Sequence, residues 1–545
     1  MLEKNALVLA PLRHTFDDLC AAVARQAWLK VDEVELRPAW RGQNLTLKID
    51  VATTVDDSLK LIAGHFYNLV VVDCRNNDHP QANAHLQQTV LFEFLDQLVK
   101  ERDRERRFPM SRVAILVGDV DVEVVEKLIF RLGQRHVGAC IRDRSLAAHR
   151  VGNARLAAKD RLVEQLWQFC NSSLIAPESG KKAVNLAGGG LPGIYYELGV
   201  LKCLNDALGG VDVRDFELFF GVGAGAVVAA FLANGVAIAD LIRNIGDVDS
   251  AWPESLEVHW RDLNLSDIPR RLGFMQKNLV DQIRSTAKGA RDFSVASLVS
   301  HYGVLFGPMF DNRDLERMLR AEFTKPKRTN DFRRLRGKLF IGATDQDRRH
   351  HVLFGEPGLD DVPVSVAVQA STATHPYFPS VQVRGRYYTD GSVTRTGNIN
   401  AAIQKGATLL FVVDAAVPLI ADEPGFNARQ GNLWLAQQDF KTLAYTRFEQ
   451  VSEEILRRHP QVSCYTFVPS NRMRELMTQS PIANKNFHQI VTEAYASTYR
   501  RLSQLEYKLA RELESFGLKL DLKPVATIVE ELARHDSADA AILLG

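Results

Sequence analysis

Over the first 150 positions, short apolar runs alternate with stretches in which apolar residues recur every three or four positions. The runs are ALVLAP, VDEVELRP, NLVVVDC, RVAILVG and VGACIRD; the amphipathic stretches are TFDDLCAAVARQAWLK, DDSLKLIAGHF, a long segment near 86–106, and EVVEKLIFRLG. Short apolar runs read as buried strands and the three-to-four spacing reads as one helix face, so this order predicts a parallel, doubly wound sheet. A helix, LVEQLWQFCNSS, and a polar turn, APESGKK, follow, and at Ala183 the alternation starts afresh. Beyond it come AVNLAG, DFELFFG and KLFIGATD as strands, with a helical, more irregular stretch from about 240 to 330. SCYTFVP reads as a further strand and FHQIVTEAYASTYRRLSQLEYKLAREL as a long amphipathic helix. The pattern divides the chain into an α/β domain at 1–150, a helical linker at 151–182, a second α/β domain at 183–515 and a C-terminal tail at 516–545.

Residues 219–239, FFGVGAGAVVAAFLANGVAIA, are almost uncharged and match the ~20 residues that cross a bilayer. Four glycines, Asn234 and the following Asp240 favour a different reading, a buried strand turning through glycine into a buried helix. The whole chain has 545 residues, with 67 lysines and arginines against 66 acidic residues. That balance excludes nucleic-acid binding by global charge and leaves membrane contact to local segments such as KPKRTNDFRRLRGK at 325–338 and IPRRLGFMQK near 268. The simpler reading of both is a solvated loop. Six scattered cysteines without CxxC spacing suit reduced thiols, and MLEKNALVLAPLRH has too short an apolar run for a secretion signal. The expected location is therefore cytoplasmic, with room for peripheral membrane contact. Neither a cofactor nor a metal site is expected.

Three segments carry candidate chemistry. In AVNLAGGGLPGIYYELG a strand ends in Gly188, Gly189 and Gly190 before a helix. Successive glycine amides and a helix start can turn toward one anion or oxyanion. In DFELFFGVGAGAVVAAFLA a strand meets a small-residue helix through a GxGxG turn, the context of a nucleophile elbow. Its central residue, Gly223, has nothing to attack with. In YYTDGSV, Asp390 stands in an Asp-Gly turn after the segment ASTATHPYFP; by itself that pair is an ordinary turn. Ser371, Thr372 and Ser392 are the neighbouring hydroxyls, each with a turn or cap role as its plain reading, and His375 reads as packing or surface.

GGGxxG, the glycine elbow, GPMFDNRDLERML, the ATD strand, ASTATHPYFP and DGS, in that order and spacing, resemble the patatin-like phospholipases over roughly 183–510. The resemblance implies a three-layer α/β/α domain in which an elbow serine and the aspartate of the DG turn form a catalytic dyad. It makes Asp390 the dyad aspartate, assigns Gly188, Gly189 and Gly190 to the oxyanion loop and puts Gly223 at the position of the family serine. Pro192 departs from the basic residue usual in that loop. Residues 1–150 are similar in order to a response-regulator receiver, with Asp73 at the phosphoacceptor position. Ala10, Pro11, Leu12 and Arg13 replace the acidic pair that would hold magnesium, and Gly118 replaces a hydroxyl residue. Without carboxylates for a hard cation, phosphoryl transfer to Asp73 loses its charge neutralisation, so this region is expected to be a pseudo-receiver that interacts with a protein partner or dimerises. The expected function is a patatin-like protein that has lost serine acyl-hydrolase activity and binds a lipid or acyl ligand, or regulates, as a pseudoenzyme. The alternative is an active lipid acyl hydrolase, phospholipase or esterase, using Asp390 with a non-standard nucleophile.

Overall fold

The computed structural model describes residues 2–9, 18, 29–31, 35–40, 43–75, 82–100, 103, 105–118, 122–145, 152–174, 180–246, 308, 310–478, 486–535 and 538–544. The chain forms two compact units, Met1–Ser179 with Gln504–Ser515, and Gly180–Ser503 with Phe516–Gly545.

The first unit contains β1 (Leu2–Leu9), β2 (Leu29–Val31), β3 (Glu35–Trp40), β4 (Gln43–Ala52), β5 (Leu69–Cys74), β6 (Val113–Val117) and β7 (Ala139–Arg142). Their order in the sheet is β2-β3-β4-β1-β5-β6-β7. The five strands from β4 to β7 run parallel, and β2 and β3 extend the edge antiparallel. Helices α1 (Val55–Gly64), α2 (Ala82–Lys100), α3 (Val122–Gln134) and α4 (Asn153–Leu174) accompany them. Because strand side chains alternate between faces, Ala6, Val8 and Val71 pack with Leu162, Leu166 and Cys170 of α4 on one side. Leu7, Val70 and Ile115 pack with Phe94 and Leu95 of α2 and Leu128 of α3 on the other. The stretch expected as a linker thus contributes a core helix. The second parallel strand is not VDEVELRP but Gln43–Ala52, whose Gln43, Asn44, Thr46, Lys48 and Asp50 break up any continuous apolar run. VDEVELRP instead spans the end of β2 and part of β3. Of the helix expected at TFDDLCAAVARQAWLK, only Asp18 lies within the described residues.

The second unit contains β8 (Lys181–Leu186), β9 (Leu208–Gly209), β10 (Leu218–Val222), β11 (Lys338–Asp345), β12 (His350–Phe354), β13 (Val381–Val383), β14 (Arg386–Asp390), β15 (Ala407–Val413), β16 (Ser463–Phe467) and β17 (Lys519–Leu520). The main sheet runs β13-β14-β11-β10-β8-β15-β16, with β12 also on β11. It is mixed: β11, β10, β8, β15 and β16 are parallel, and β12, β13 and β14 are antiparallel. Its helices are α5 (Gly190–Ala207), α6 (Ala224–Ala233), α7 (Ile238–Gly246), α8 (Arg313–Phe323), α9 (Val364–Ser371), α10 (Ile399–Gln404), α11 (Asn432–Arg458), α12 (Asn471–Thr478), α14 (Lys523–Arg534) and the part of α13 (Phe487–Glu514) that precedes Gln504. Leu218, Phe220 and Phe340 bury one sheet face against Ile399 and Ala402 of α10 and Phe448 of α11. In the stretch expected as a tail, β17 pairs with β9.

The uncharged stretch at 219–239 resolves into β10, a glycine turn and α6, all buried. Among the described residues no helix is long and apolar enough to cross a membrane. The basic segment near 268 lies outside the described residues.

Candidate functional site

Sheet register brings the three motif segments together. Val222, the last residue of β10, lies opposite Gly342 of β11, and the next residue of β11, Ala343, lies opposite Asp390 at the end of β14. On the other side of β10, β8 runs parallel to it and leads into the glycine loop. The elbow, the loop and Asp390 therefore meet at the carboxyl edge of the parallel strands, where open α/β sheets place ligands.

The elbow needs its glycines for different reasons. A Cβ on Gly225 would lie 2.5 Å from the backbone of Leu186, and one on Gly221 would lie 2.5 Å from Ala226 Cα, so the turn packs directly on backbone. Gly223 caps α6 with φ 57° and ψ −127°, a region that costs a residue with a side chain ~1–3 kcal/mol. A side chain would also be tightly placed, needing the backbone of Gly188 to give by a few tenths of an ångström. A Cβ there would stand 3.3 Å from Gly188 Cα and 3.5 Å from each carboxylate oxygen of Asp390. The Gly223 amide donates to Ser371 Oγ at 2.8 Å, and that hydroxyl donates onward to the Gly342 carbonyl at 2.6 Å.

Gly189 begins α5 with φ 148°, and a Cβ on it would press on Ala415 Cβ at 2.9 Å, so only glycine passes there. Among the described residues the amides of Gly188, Gly189 and Gly190 donate to no protein acceptor. Three unengaged donors beside the elbow are suited to a carbonyl or anionic oxygen. Pro192 falls in the first turn of α5, where a helix has no use for its missing N–H.

Asp390 is buried, and burial raises its pKa above the ordinary carboxylate value despite the hydrogen bonds it accepts. Oδ1 accepts from the Ser392 amide at 2.8 Å and the Ser392 hydroxyl at 2.7 Å. Oδ2 accepts from the hydroxyl of Thr374. Its carbonyl oxygen accepts from Thr344 Oγ1 at 2.9 Å, and that hydroxyl also bonds Thr394. Thr394 in turn meets His351 Nδ1, while Asn398 Oδ1 meets His351 Nε2, each at 2.9 Å. Burial and the neighbouring Arg395 hold the His351 imidazole down to about 4, so it is neutral at physiological pH.

Of the hydroxyls singled out in the sequence, Ser371 braces the elbow, Ser392 caps the turn and Thr372 donates to helix carbonyls of Val368 and Gln369. His375 bonds Thr389 Oγ1 at 3.0 Å. Sequence reading missed Thr374, because nothing in ASTATHPYFP tells which of its hydroxyls faces an aspartate sixteen positions on. The Thr344–Thr394–His351 brace was missed too, since it depends on the β11–β14 and β11–β12 register.

Two buried acids lie near the glycine loop. Asp414 follows β15 and precedes Ala415; its Oδ1 accepts from the Ala416 amide at 2.9 Å, and Oδ2 has no hydrogen-bond partner among the described residues. Burial pushes Asp414 up to about 6. Glu197, in α5, has no hydrogen-bond partner at either oxygen among the described residues, and burial followed by the nearby Asp414 charge drives its pKa well upward. Among the described residues no group of three or more His, Cys, Asp or Glu side chains can hold a metal.

In the first unit, Asp73 ends a strand as expected, and Arg75 folds back on it. The Arg75 guanidinium donates to Asp73 Oδ2 at 2.8 Å, Asp143 Oδ2 at 2.8 Å and Asp18 Oδ2 at 2.6 Å, with every partner essentially inaccessible. Lys159 adds a second cation to Asp18.

Three solved structures resemble the chain at low scores. VipD from Legionella pneumophila shares 14% identity over 67% of this chain and 81% of its own, with a TM-score of 0.24. ExoU from the type III secretion system of Pseudomonas aeruginosa, in complex with SpcU, shares 16% identity over 68% and 70%, with a TM-score of 0.21. NtrX from Brucella abortus, in complex with ATP, shares 13% identity over 42% and 39%, with a TM-score of 0.16. No curated protein matches the chain. The patatin-like phospholipase family model matches residues 185–403, from β8 through the elbow and the Asp-Gly turn into α10. That span holds the glycine loop, the elbow and Asp390, and it makes this part of the chain a patatin-like phospholipase domain.

Proposed function

We propose that the patatin-like domain receives an acyl ligand at the glycine loop without running a serine acyl-transfer cycle, and that the protein works as a lipid- or acyl-binding regulatory pseudoenzyme. One observation carries this reading. The position whose side chain would meet both oxygens of Asp390 at 3.5 Å is glycine, so the buried carboxylate faces a space with no nucleophile in it. Loss of an elbow serine costs orders of magnitude in rate, while the unengaged amides of the loop remain able to hold a carbonyl oxygen. The test compares hydrolysis of short- and long-chain acyl esters by the parent, Gly223→Ser and Asp390→Ala. An inert parent with activity gained in Gly223→Ser supports binding as the surviving role. Hydrolysis by the parent that disappears in Asp390→Ala defeats it.

Thr374 favours a second reading, an acyl hydrolase with a displaced nucleophile. Its hydroxyl already donates to Asp390 Oδ2, and a half-buried threonine stays within reach of a ligand. Asp390 would take the hydroxyl proton as Oγ1 attacks the ester carbonyl and return it to the alcohol that departs as the ester C–O bond breaks, and water would later hydrolyse the acyl-threonine. Thr374→Val would then abolish activity in the parent while leaving Gly223→Ser active. For the first unit, the guanidinium held by Asp73, Asp18 and Asp143 counts against phosphoryl acceptance, because both oxygens of Asp73 are already committed to Arg75.

A further inference from the structure

The patatin-like domain has a cleft of about 480 Å³ between the turn after α6 and the segment that precedes β11. Its volume falls within the ~300–1,000 Å³ typical of small-molecule sites. Lys327, Arg328, Arg334 and Arg336 line it, against a single carboxylate, Asp240. Charge pairing divides these groups into two kinds. Arg328 is engaged by Glu322, Arg336 by Asp215 at 2.8 Å, and Asp240 by Arg243 at 2.9 Å. Lys327 and Arg334 have no ion-pair partner among the described residues. Among the described residues, two cations are thus left without an ion pair along one opening, Arg334 also lying within electrostatic range of the Asp331 carboxylate.

The walls are fixed independently of any ligand. The Thr329 amide donates to Asn234 Oδ1 at 2.8 Å, and Asn234 Nδ2 donates to the Ala230 carbonyl at 3.0 Å, tying the basic segment to the end of α6. The Arg334 amide donates to the Asp331 carbonyl at 3.1 Å, closing a turn of the short helix that carries it. Lys327 is held at φ 68°, a left-handed backbone that a lysine rarely takes. Thr329 Oγ1 accepts from the Asp331 amide at 3.2 Å, which leaves its proton available to a ligand.

We propose that this cleft binds a phosphomonoester, with Lys327 and Arg334 as its two cations. A phosphomonoester carries about −1.5 to −2 charge near neutral pH, which matches the two unpaired cations; a carboxylate or phosphodiester would leave one of them uncompensated. Arginine supplies a fork of donors and lysine a point charge, a pairing suited to the oxygens of one tetrahedral group. The phosphate belongs either to a lipid headgroup with a terminal phosphate or to a soluble metabolite. The proposal does not depend on the acyl site.

Binding of sn-glycerol 3-phosphate by calorimetry, and of phosphatidylcholine vesicles carrying phosphatidic acid or phosphatidylglycerol by co-sedimentation, tests this on the full chain. Lys327→Asn and Arg334→Ala should each weaken binding about fivefold, the effect of one basic group near a phosphate, and the double variant by roughly the product. Arg333→Ala should change nothing, because that side chain pairs with Asp331 at 2.9 Å and does not line the cleft. Binding of the soluble probe identifies a free phosphomonoester; binding of phosphatidic acid vesicles alone, lost in the double variant, identifies a lipid headgroup. The proposal is overturned by an unaltered double variant of unchanged unfolding midpoint, by equal binding to phosphatidylglycerol vesicles, or by no binding of either probe.

Discussion

Asp390 and Asp73 are both buried carboxylates at the end of a strand, and each lacks the partner that its position suggests. The two regions differ in what stands there instead. Around Asp73 the chain supplies its own cation, and Arg75 takes up Asp73, Asp18 and Asp143 together. Around Asp390 it supplies neutral donors, the Thr374 and Ser392 hydroxyls and the Ser392 amide, and puts no side chain at Gly223. A filled charge site is stable and closed to ligands. A carboxylate whose pKa is raised by burial, beside a glycine turn and unengaged amides, is costly to keep, which is a reason to look for ligand binding in the second unit.

The largest stability effect is expected at the filled site. Arg75→Ala removes the guanidinium that three buried carboxylates share and should destabilise the first unit by about 3–5 kcal/mol, read as a lower urea midpoint for that unit. If Arg75→Ala keeps the parent midpoint, the guanidinium is not what closes the pocket.

The next effect is on pH dependence in the second unit, where two groups act with opposite sign. Asp414 sits at about 6 when folded, against an ordinary 3.8, so its ionisation opposes folding. This penalty, on the order of 3 kcal/mol, is fully present above pH 6 and fades as the pH falls toward 3.8. Asp414→Asn, which keeps an acceptor for the Ala416 amide, should therefore raise the unfolding midpoint at pH 8 and leave it unchanged near pH 4. His351 sits at about 4 when folded against 6.5. Its neutral form is the one that folds, so its contribution, again on the order of 3 kcal/mol, is complete above pH 6.5 and is lost as the pH falls toward 4. A pH profile that Asp414→Asn leaves unaltered would contradict the burial assigned to that carboxyl.

Much of this organisation is legible in the sequence, and the gaps have physical causes. Gly188, Gly189, Gly190, Gly223 and Asp390 are visible because turns that need glycine, and an aspartate before glycine, leave a local signature. Asp73 is visible because a single acid closes an apolar strand. Arg75, Thr374 and His351 are not visible, since their partners lie far along the chain or depend on which strands become neighbours. Gln43–Ala52 was hidden because its apolar residues occupy every second position and lack the continuous run that marks a fully buried strand.

Smaller effects sharpen the open site. Gly223→Ser places a side chain where φ is 57° and should lower the unfolding midpoint by an amount corresponding to ~1–3 kcal/mol. A higher midpoint would mean that glycine had not relaxed the turn. Thr374→Val removes one hydrogen bond to Asp390 and should cost about 1 kcal/mol, while raising the pKa of Asp390 further, visible by carboxyl-selective NMR titration. An unmoved Asp390 would break the Thr374 contact.

The central claim is that the elbow carries no nucleophile. A fluorophosphonate ester reacts with an activated hydroxyl and reports it directly by intact mass and peptide mapping. The parent should stay unlabelled, and Gly223→Ser should take up one equivalent at position 223. Stoichiometric labelling of the parent, mapped to Thr374 and lost in Asp390→Ala, would contradict the account and make this domain a hydrolase with a displaced nucleophile.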